Sequence, residues 1–168
     1  SRLITCYFKE LVVLSCYIPN GRGLYTPHYE NKIIWLDSLY HFVKSLSHTT
    51  KNIVIAGDFN VVPTSLDSYS PDRLEGTIFH SERERKAIER LVKLGFVDSF
   101  RLLHKNKKEF SWWDYRSQGF QRNQGLRIDF ILVSSVMEKR CLESGIDKKM
   151  RSREKTSDHA PTFVLFDK

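Results

Sequence analysis

Ile53-Val54-Ile55-Ala56-Gly57-Asp58-Phe59-Asn60 is an apolar run that stops at an acid and an amide. Residues 53–56 are typical of a buried strand, so Asp58 and Asn60 are predicted to lie just past the carboxyl end of that strand. Open α/β sheets place their chemistry at this end of their strands. The stretch therefore predicts both a central strand and the position of a functional site.

Two further stretches carry acids. Arg127-Ile128-Asp129-Phe130-Ile131-Leu132 has the pattern of a strand with a carboxylate inside it, which costs free energy unless the acid has a partner. Ser157-Asp158-His159-Ala160-Pro161 places an acid beside an imidazole near the end of the chain. Acids, an amide and an imidazole brought together indicate metal-assisted attack on a phosphate.

The chain is basic, with 27 Lys and Arg against 20 Asp and Glu and a formal net charge of +7. Basic residues precede and follow the aromatic stretch at 110–120, and the basic run at 148–155 leads directly into Ser157-Asp158-His159. Charge alone fits a merely basic surface equally well. The position of these basic residues, next to the predicted site residues in the sequence, favours a polyanionic substrate.

A length of 168 residues suits one domain with one sizeable core. No apolar run approaches the roughly 20 residues of a membrane span, and the first residues lead into strand-like sequence without a signal-peptide pattern. We therefore expect a cytoplasmic protein without a membrane partner. The three cysteines lack metal-ligand spacing, so free thiols are expected, with a Cys6–Cys16 disulfide as the less favoured alternative.

The hydrophobic pattern predicts an α+β fold. Strands over 3–8 and 11–18 are joined tightly, and Thr26 and Pro27 begin a long helix. Ser81 and Glu84 form the capping box of a second helix that Gly95 ends. Residues 62–79 lack periodicity and are predicted to be a long surface loop. Further strands are predicted at 52–56, near 96–97 and 110–112, and over 128–133 and 162–166.

Four motifs occur in the order seen in exonuclease III-type AP endonucleases. They are Gly57-Asp58-Phe59-Asn60, Ser111-Trp112-Trp113-Asp114-Tyr115-Arg116, Gly125-Leu126-Arg127-Ile128-Asp129 and Ser157-Asp158-His159-Ala160-Pro161. The first and last identify only the endonuclease/exonuclease/phosphatase superfamily, which also contains DNase I-like nucleases, inositol phosphatases and sphingomyelinases. Residues 111–129 are more specific, and with them the chain resembles the bacterial exonuclease III branch, whose members repair abasic DNA.

This resemblance implies a four-layer αββα sandwich of the DNase I-like type, here incomplete at the N-terminus. Residues 1–168 would form a single partial domain, roughly the C-terminal two thirds of the family's domain. The family's N-terminal half carries an early Asn and a Glu that is the main metal ligand, and no candidate for either precedes Tyr17. We expect one sheet, part of a second, and a bare apolar sheet face. A truncated polypeptide, a split protein with a separate N-terminal half and a degenerate remnant would each explain this.

The resemblance also implies catalytic roles. Asp58 would orient or deprotonate the attacking water, and Asn60 would hold Asp58 and donate to a phosphate oxygen. His159 would donate to the scissile phosphate while Asp129 accepts from its other ring nitrogen. Tyr17 would act near the phosphate or the leaving group. The alternatives are a plain turn at 58–60, a structural histidine and a half-buried strand aromatic.

Hard oxygen ligands and phosphate chemistry imply Mg²⁺, with Mn²⁺ as a substitute. Asp158 would contact the metal directly or through water, and Asp58 and Asn60 are further candidate ligands. The family's main Glu ligand has no counterpart in this sequence. Activity of this chain by itself is therefore an open expectation.

The residues implied to bind substrate follow from the same motifs. Trp112, Leu126 and Ile128 match positions that line the family's pocket for a flipped abasic sugar. Arg116 to Arg122 form the loop expected to enter a DNA groove, for which a plain solvated loop is the alternative. Asn123 is a further candidate for substrate binding. Since Trp112 and Trp113 adjoin in a predicted strand, one should face the pocket and the other the core.

The sequence thus predicts a DNA-repair phosphodiesterase that cuts duplex DNA 5′ to abasic sites with Mg²⁺. Exonuclease activity in the 3′→5′ direction and 3′-phosphatase activity are expected as well, on DNA with abasic or 3′-blocked ends. The complete protein would be a monomer associated with the nucleoid in a bacterial cytoplasm. The alternatives are a non-catalytic DNA-binding fragment and a superfamily phosphoesterase for lipid or inositol phosphates, against which residues 111–129 argue.

Overall fold

A computed structural model describes residues 2–167, apart from the side chain of residue 117. The strands are β1 Leu3–Phe8, β2 Leu11–Tyr17, β3 Asn52–Asp58, β4 Phe96–Asp98, β5 Asp129–Ser134, β6 Cys141–Ile146 and β7 Thr162–Phe166. The helices are α1 Pro27–Thr49, α2 Pro71–Leu74, α3 Glu82–Lys93, α4 Ser99–Leu103 and α5 Lys148–Arg151. Three 3-10 turns span Ser65–Asp67, Tyr115–Ser117 and Ser135–Arg140.

The larger sheet has five strands in the order β1-β2-β3-β5-β4, and β6 pairs with β7 in a second sheet. Strands β2 and β3 are parallel and α1 connects them, so their carboxyl ends meet at one edge of the sheet. Strand β5 runs antiparallel to β3, which brings the first residue of β5 to that same edge. This topology collects residues from three strands at one place.

Helices α1 and α3 cover one face of the larger sheet. Their apolar residues join those of β2, β3 and β5 in the main core, which includes Val12, Leu14, Leu36, Leu39, Val43, Ile53, Ile55, Ile88, Leu91, Phe130 and Leu132. The predicted ends of both helices are confirmed. The Thr26 side chain caps α1, Ser81 and Glu84 form the capping box of α3, and Gly95 follows α3 with a φ of +93°.

The second sheet packs on the opposite face of the larger sheet. A smaller core joins Val54 and Val133 to Met137 and Cys141, with side chains of β7 packed against it. The second sheet does not reach β1, where Ile4 is 69% and Phe8 is 63% exposed. These two exposed side chains fit the expected bare apolar face. Each Å² of apolar surface that stays in water forgoes about 25 cal/mol of stabilisation of the fold. A helical layer and two packed sheets confirm the predicted α+β class.

Several local predictions were wrong. Residues 62–79 are not a plain surface loop, because they include a 3-10 turn and helix α2, and Asp67 and Ser68 are fully buried. Strand β6 was not predicted, since a bulge between Cys141 and Glu143 breaks its alternating pattern. The expected strand near 110–112 is reduced to isolated bridges at Trp112.

All three cysteines are free thiols, as expected. In the hairpin, Cys6 pairs with Val13 and Cys16 with Leu3. Positions 13 and 16 of β2 point to opposite faces of the sheet, which separates the two thiols. Among the helices of residues 2–167, none combines the length and apolar character needed to cross a bilayer.

Candidate active site

Three predicted site residues lie side by side in the larger sheet. Tyr17 is the register partner of Asp58, and Asp58 is the register partner of Asp129. Paired residues on neighbouring strands point to the same face, which here is the face that carries the second sheet. Tyr17 is half exposed, and the guanidinium of Arg2 lies 4.6 Å from its ring centre. Topology alone thus forms a row of one phenol and two carboxylates.

Gly57, the residue before Asp58, lets β2 approach β3 closely. Its φ is +141°, and a Cβ there would lie 1.8 Å from the backbone oxygen of Cys16. No other residue type fits this backbone without moving β2. The glycine in the motif is therefore required by close strand packing, which fixes where Asp58 emerges.

Asn60 holds the Asp58 carboxylate. The backbone N–H of Asn60 donates to Asp58 Oδ1 at 2.9 Å, and its Nδ2 donates to Asp58 Oδ2 at 2.9 Å. The same Nδ2 donates to the backbone oxygen of Ile18 at 3.0 Å. Both hydrogens of this buried amide are thereby committed. The geometry supports the predicted holding role, whereas donation to a phosphate would require one of these bonds to break.

The surroundings of Asp58 suit a base that works near neutral pH. Burial, together with the negative charge of Asp129, raises the pKa of Asp58 to about 6, although His159, Asn60 and Lys32 act in the opposite direction. A carboxylate with a pKa close to the working pH accepts and releases a proton readily. The arrangement therefore fits the predicted role of Asp58 toward an attacking water.

His159 and Asp129 form the predicted pair. His159 Nδ1 lies 2.9 Å from Asp129 Oδ2 and 3.1 Å from Oδ1, which leaves Nε2 for another partner. Burial lowers the pKa of His159, but the hydrogen bond and charge of Asp129, with Asp58 and Asp158, outweigh it and raise the pKa above its ordinary value. The side chain of His159 is 29% exposed. A protonated imidazole can thus present Nε2–H to a phosphate oxygen.

Ser111 aligns both halves of this pair. Its hydroxyl accepts from the backbone N–H groups of Ile128 and Asp129 at 3.1 Å, and its carbonyl accepts from Ala160 N at 2.7 Å. Ser111 is fully buried. Its position in the sequence motif gave no sign of this role, because the role depends on two segments distant in sequence.

Asp158 is tied to Trp112. The indole Nε1 donates to Asp158 Oδ2 at 2.8 Å, and Trp113 N donates to the backbone oxygen of Asp158 at 3.1 Å. Trp113 is fully buried against Phe110 and Ala160, which confirms that one of the two indoles packs in the core. Trp112 is partly exposed, and its place in a pocket stays a prediction. The predicted pocket residue Trp112 and the candidate metal ligand Asp158 are therefore joined by a hydrogen bond.

The other predicted pocket residues are packed inside. Leu126 is 5% and Ile128 is 1% exposed, in a cluster with Val62 against which Trp112 packs. Trp112 is thus the member of the predicted trio that a ligand can reach directly in this conformation. Leu126 and Ile128 support its ring from beneath, and their contact with a sugar stays a prediction.

The predicted DNA-contacting residues lie on an exposed loop. The side chain of Arg116 is paired with Asp114 at 2.8 Å, and Asn123 is exposed in a left-handed turn. A cavity of about 440 Å³ lies beside this loop, bounded on its other side by Arg151, Arg153, Lys155 and Thr156. Arg151, Arg153 and Lys155 form a basic rim on one side of this cavity, and the described residues of the loop contribute no Lys or Arg to its lining. Arg116 and Asn123 neither line the cavity nor join the cluster around Asp58.

Two buried ion-pair groups support the site from below. Asp67 accepts from Arg127 Nε at 2.7 Å and from Arg101, and Arg127 also pairs with Asp98 at 2.7 Å. This fixes the backbone next to Ile128 and Asp129. The second group joins Lys32 to Glu84. Sequence reasoning missed both, although Lys32 occupies the buried stripe of α1, where a lysine is a signal.

A divalent cation would find oxygen ligands here, but few. Within residues 2–167, no three carboxylates, imidazoles or thiolates converge in the manner of a complete metal site. Mg²⁺ commonly uses one or two carboxylates together with waters and substrate phosphates. Asp58 and Asp158 are the carboxylates that would meet that requirement. Burial is the main cause of the raised pKa of Asp58, and the negative charge of Asp129, which a bound cation would offset, is the second. Asn60 fits less well, because its Oδ1 accepts from Asn20 at 3.4 Å.

The sequence and fold of the chain have counterparts in known proteins. The sequence model of the endonuclease/exonuclease/phosphatase family matches residues 2–159. The chain belongs to that family.

Relatives within the family cover almost all of this chain. An exodeoxyribonuclease III from Haemophilus influenzae is 36% identical over 167 residues, which are 95% of this chain and 62% of that protein. An exodeoxyribonuclease from Bacillus subtilis is 31% identical over 166 residues, which are 98% of this chain and 63% of that protein.

Solved structures of the family share the fold. A 3′ phosphatase from Neisseria, solved with a product DNA hairpin, has a TM-score of 0.96 at 36% identity, over 99% of this chain and 65% of that chain. An AP endonuclease from Archaeoglobus fulgidus has a TM-score of 0.93 at 34% identity, with the same coverage. These matches confirm the predicted fold class. The chain spans 62–65% of the length of these relatives.

Proposed function

We propose that this chain carries the catalytic residues of a DNA-repair phosphodiesterase that cuts duplex DNA 5′ to abasic sites. The observation that supports this best is the row of Tyr17, Asp58 and Asp129, with His159 hydrogen-bonded to its last member. An acid with a pKa of about 6 beside a protonated imidazole supplies a base and a hydrogen-bond donor to one phosphate.

The residues divide the work as follows. Asp58, held by Asn60, orients the attacking water and accepts its proton. His159 donates from Nε2 to a non-bridging phosphate oxygen, and Asp129 keeps the other ring nitrogen in place. Tyr17, at the exposed end of the row, lies near the leaving oxygen. Bound Mg²⁺, or Mn²⁺ in its place, would be held by Asp58 and Asp158 and would neutralise phosphate charge.

The substrate is proposed from the surface and from the relatives. A net charge of +7 and a basic rim suit a polyanion, which would be held by contacts to successive phosphates. Two structural relatives are a 3′ phosphatase bound to a product DNA hairpin and an AP endonuclease. We therefore extend the proposal to 3′→5′ exonuclease and 3′-phosphatase activities on 3′-blocked ends, in a monomeric cytoplasmic protein of the nucleoid.

A second candidate function is DNA binding without catalysis. It is favoured by the incomplete ligand set among residues 2–167. In this case the basic rim and Trp112 would still hold DNA. A phosphoesterase for lipid or inositol phosphates is the third candidate, and a phosphoinositide substrate tests it directly.

The deciding experiment is cleavage of an end-labelled duplex with one abasic analogue, at several Mg²⁺ concentrations. The chain is assayed alone and then with the N-terminal part of a relative added. Cleavage by the chain alone would show that Asp58, Asp158 and His159 suffice. Cleavage only after complementation would support the proposal with a ligand supplied from outside this chain. DNA binding without cleavage in both arms would establish the binding fragment.

A further inference from the structure

Lys32 is a lysine without access to solvent. It lies on the core side of α1 and its side chain is 0% exposed. Its ammonium nitrogen donates to the backbone oxygen of Asn60 at 2.6 Å, to that of Asn20 at 3.3 Å, and to Glu84 Oε1. One side chain thus joins a helix, the loop after β2, the loop after β3 and the start of α3.

The cost of burying this ion pair argues for a specific purpose. Removing two charges from water is expensive, and well-packed apolar residues of similar volume usually stabilise a fold at least as well. An apolar residue at position 32 would pack against the core but could not donate hydrogen bonds. The contacts that only a donor can supply are those to the backbone oxygens of Asn20 and Asn60.

The carbonyl of Asn60 needs such a donor. Asn60 has a φ of +51°, in the left-handed region that most residues avoid. This backbone directs its N–H and side chain toward Asp58, while its carbonyl meets Lys32 in the interior. A buried carbonyl without a hydrogen-bond partner would destabilise this conformation further, in addition to the strain of the left-handed backbone itself. Lys32 therefore stabilises the conformation in which Asn60 grips Asp58.

Glu84 holds the ammonium in place. Its Oε1 accepts from Lys32 and from Phe79 N at 3.2 Å, and its Oε2 accepts from the backbone and hydroxyl of Ser81 at 3.0 and 2.6 Å. The carboxylate of Glu84 is thus held by hydrogen bonds from Phe79 and Ser81 in addition to the one from Lys32. The charge of the lysine is matched at a fixed point below the loop.

We propose that Lys32, anchored by Glu84, is a positioning residue for the loop at 58–60. It fixes the backbone of Asn60 and, through Asn60, the carboxylate of Asp58. This role rests on the proposed phosphodiesterase function but does not depend on contact with substrate. Because its effect on Asn60 is structural, it can be measured in protein that cleaves nothing.

The test compares Lys32→Met, which keeps volume and removes the donor, with Lys32→Arg, which keeps donors. Hydrogen exchange of the Asn60 side-chain amide is followed by NMR in metal-free protein. Exchange in Lys32→Met should be at least about tenfold faster, because local opening of the loop becomes easier. Lys32→Arg should recover part of the protection. The exposed pair of the same two helices, Arg83–Glu30, provides the control variant Glu30→Gln, which should leave the amide unchanged.

Activity provides the second measurement, in whichever arm of the cleavage assay is active. Lys32→Met should lower kcat by roughly tenfold to a hundredfold with KM within about threefold, since the loss concerns geometry of the base rather than binding. A folded Lys32→Met protein with unchanged Asn60 exchange overturns the proposal. If Lys32→Met does not fold, Glu84→Gln must accelerate the same exchange, and its failure to do so overturns the proposal equally. Absence of cleavage by the parent protein in both arms of the assay refutes the phosphodiesterase function and leaves the exchange result to decide the role of Lys32.

Discussion

Two pairs of acid and base flank Asp58, and they differ in access to solvent. Asp129 and His159 are 14% and 29% exposed, whereas Glu84 and Lys32 are both 0% exposed. The first pair can exchange protons with water and touch a phosphate. The second pair can do neither, so it can influence the reaction only from inside the protein, through the position of Asp58 and through the charge of Lys32, which lowers the pKa of Asp58. We call Asp129 and His159 the upper pair, which is available for chemistry, and Glu84 and Lys32 the lower pair, which positions Asp58.

The separation follows from where each residue lies in the sheet. Asp129 and His159 reach the face that carries the second sheet, at its open edge. Lys32 and Glu84 come from the helices that cover the main core. Changes to the upper pair should therefore alter turnover with little effect on folding, while changes to the lower pair should affect loop order first.

The largest effect is expected from the upper pair. His159→Ala and Asp129→Asn should each lower turnover by at least about a hundredfold, the scale of a lost catalytic donor. The measurement is single-turnover cleavage of the abasic duplex at saturating protein, in whichever arm of the assay is active.

His41 provides a matched control for that variant. It faces Asp37 at 3.6 Å on the surface of α1, with side chains 65% and 50% exposed. His41→Ala removes an imidazole beside a carboxylate without touching the site and should leave turnover unchanged. Equal losses in His41→Ala and His159→Ala would contradict the catalytic assignment.

A smaller effect is expected from Trp112, which connects the pocket to Asp158. Trp112→Ala should reduce the preference for abasic over intact duplex by about tenfold, because the ring that shapes the pocket is lost. Trp112→Phe keeps a ring and removes the N–H, so it should keep most of that preference while lowering the rate. The ratio of cleavage rates on the two duplexes checks this, and an unchanged ratio in Trp112→Ala would remove Trp112 from the pocket.

The proton on His159 offers a subtler test. Its pKa is raised because Asp129, Asp58 and Asp158 outweigh the effect of burial. The folded state therefore holds this proton more tightly, and the resulting stabilisation is complete below about pH 6.5 and is lost as pH rises through the folded-state pKa. NMR titration of the ring in metal-free protein should show a lower pKa in Asp129→Asn than in the parent. Coincident titration curves would contradict the pairing.

The smallest effect is expected from the exposed contacts between α1 and α3. Asp37→Asn removes an acid that pairs with Arg90 and His41 at the surface. Screening by water makes such pairs weak, so the melting temperature should move by less than about 2 °C and turnover should not change. A large loss in thermal unfolding would show that surface pairs between these helices matter as much as the buried one.

Much of the fold could be predicted because its signals are local. The caps at Thr26 and at Ser81 with Glu84 lie within three residues of the groups they satisfy, and both were confirmed. Residues 62–79 could not be predicted in the same way. Asp67 can be buried because it pairs with Arg127, which lies 60 residues away in the sequence. No residue near Asp67 in the sequence indicates that contact.

The site shows the same limit. Pairing of Asp129 with His159 was predictable, because an acid in an apolar strand requires a partner. The position of Tyr17 beside Asp58 depends on strand register, which the sequence did not specify by itself. The role of Ser111 and that of Lys32 arise from segments brought together only in the folded chain.

The most direct test of this account is the cleavage of an abasic duplex by the parent protein and by Asp58→Asn, with the product end mapped. We expect Mg²⁺-dependent cleavage 5′ to the abasic site, reduced at least about a hundredfold in Asp58→Asn while duplex binding is retained. Cleavage by Asp58→Asn at the parent rate, from the same active preparation, would contradict the central role given to the Asp58, Asp129 and His159 cluster.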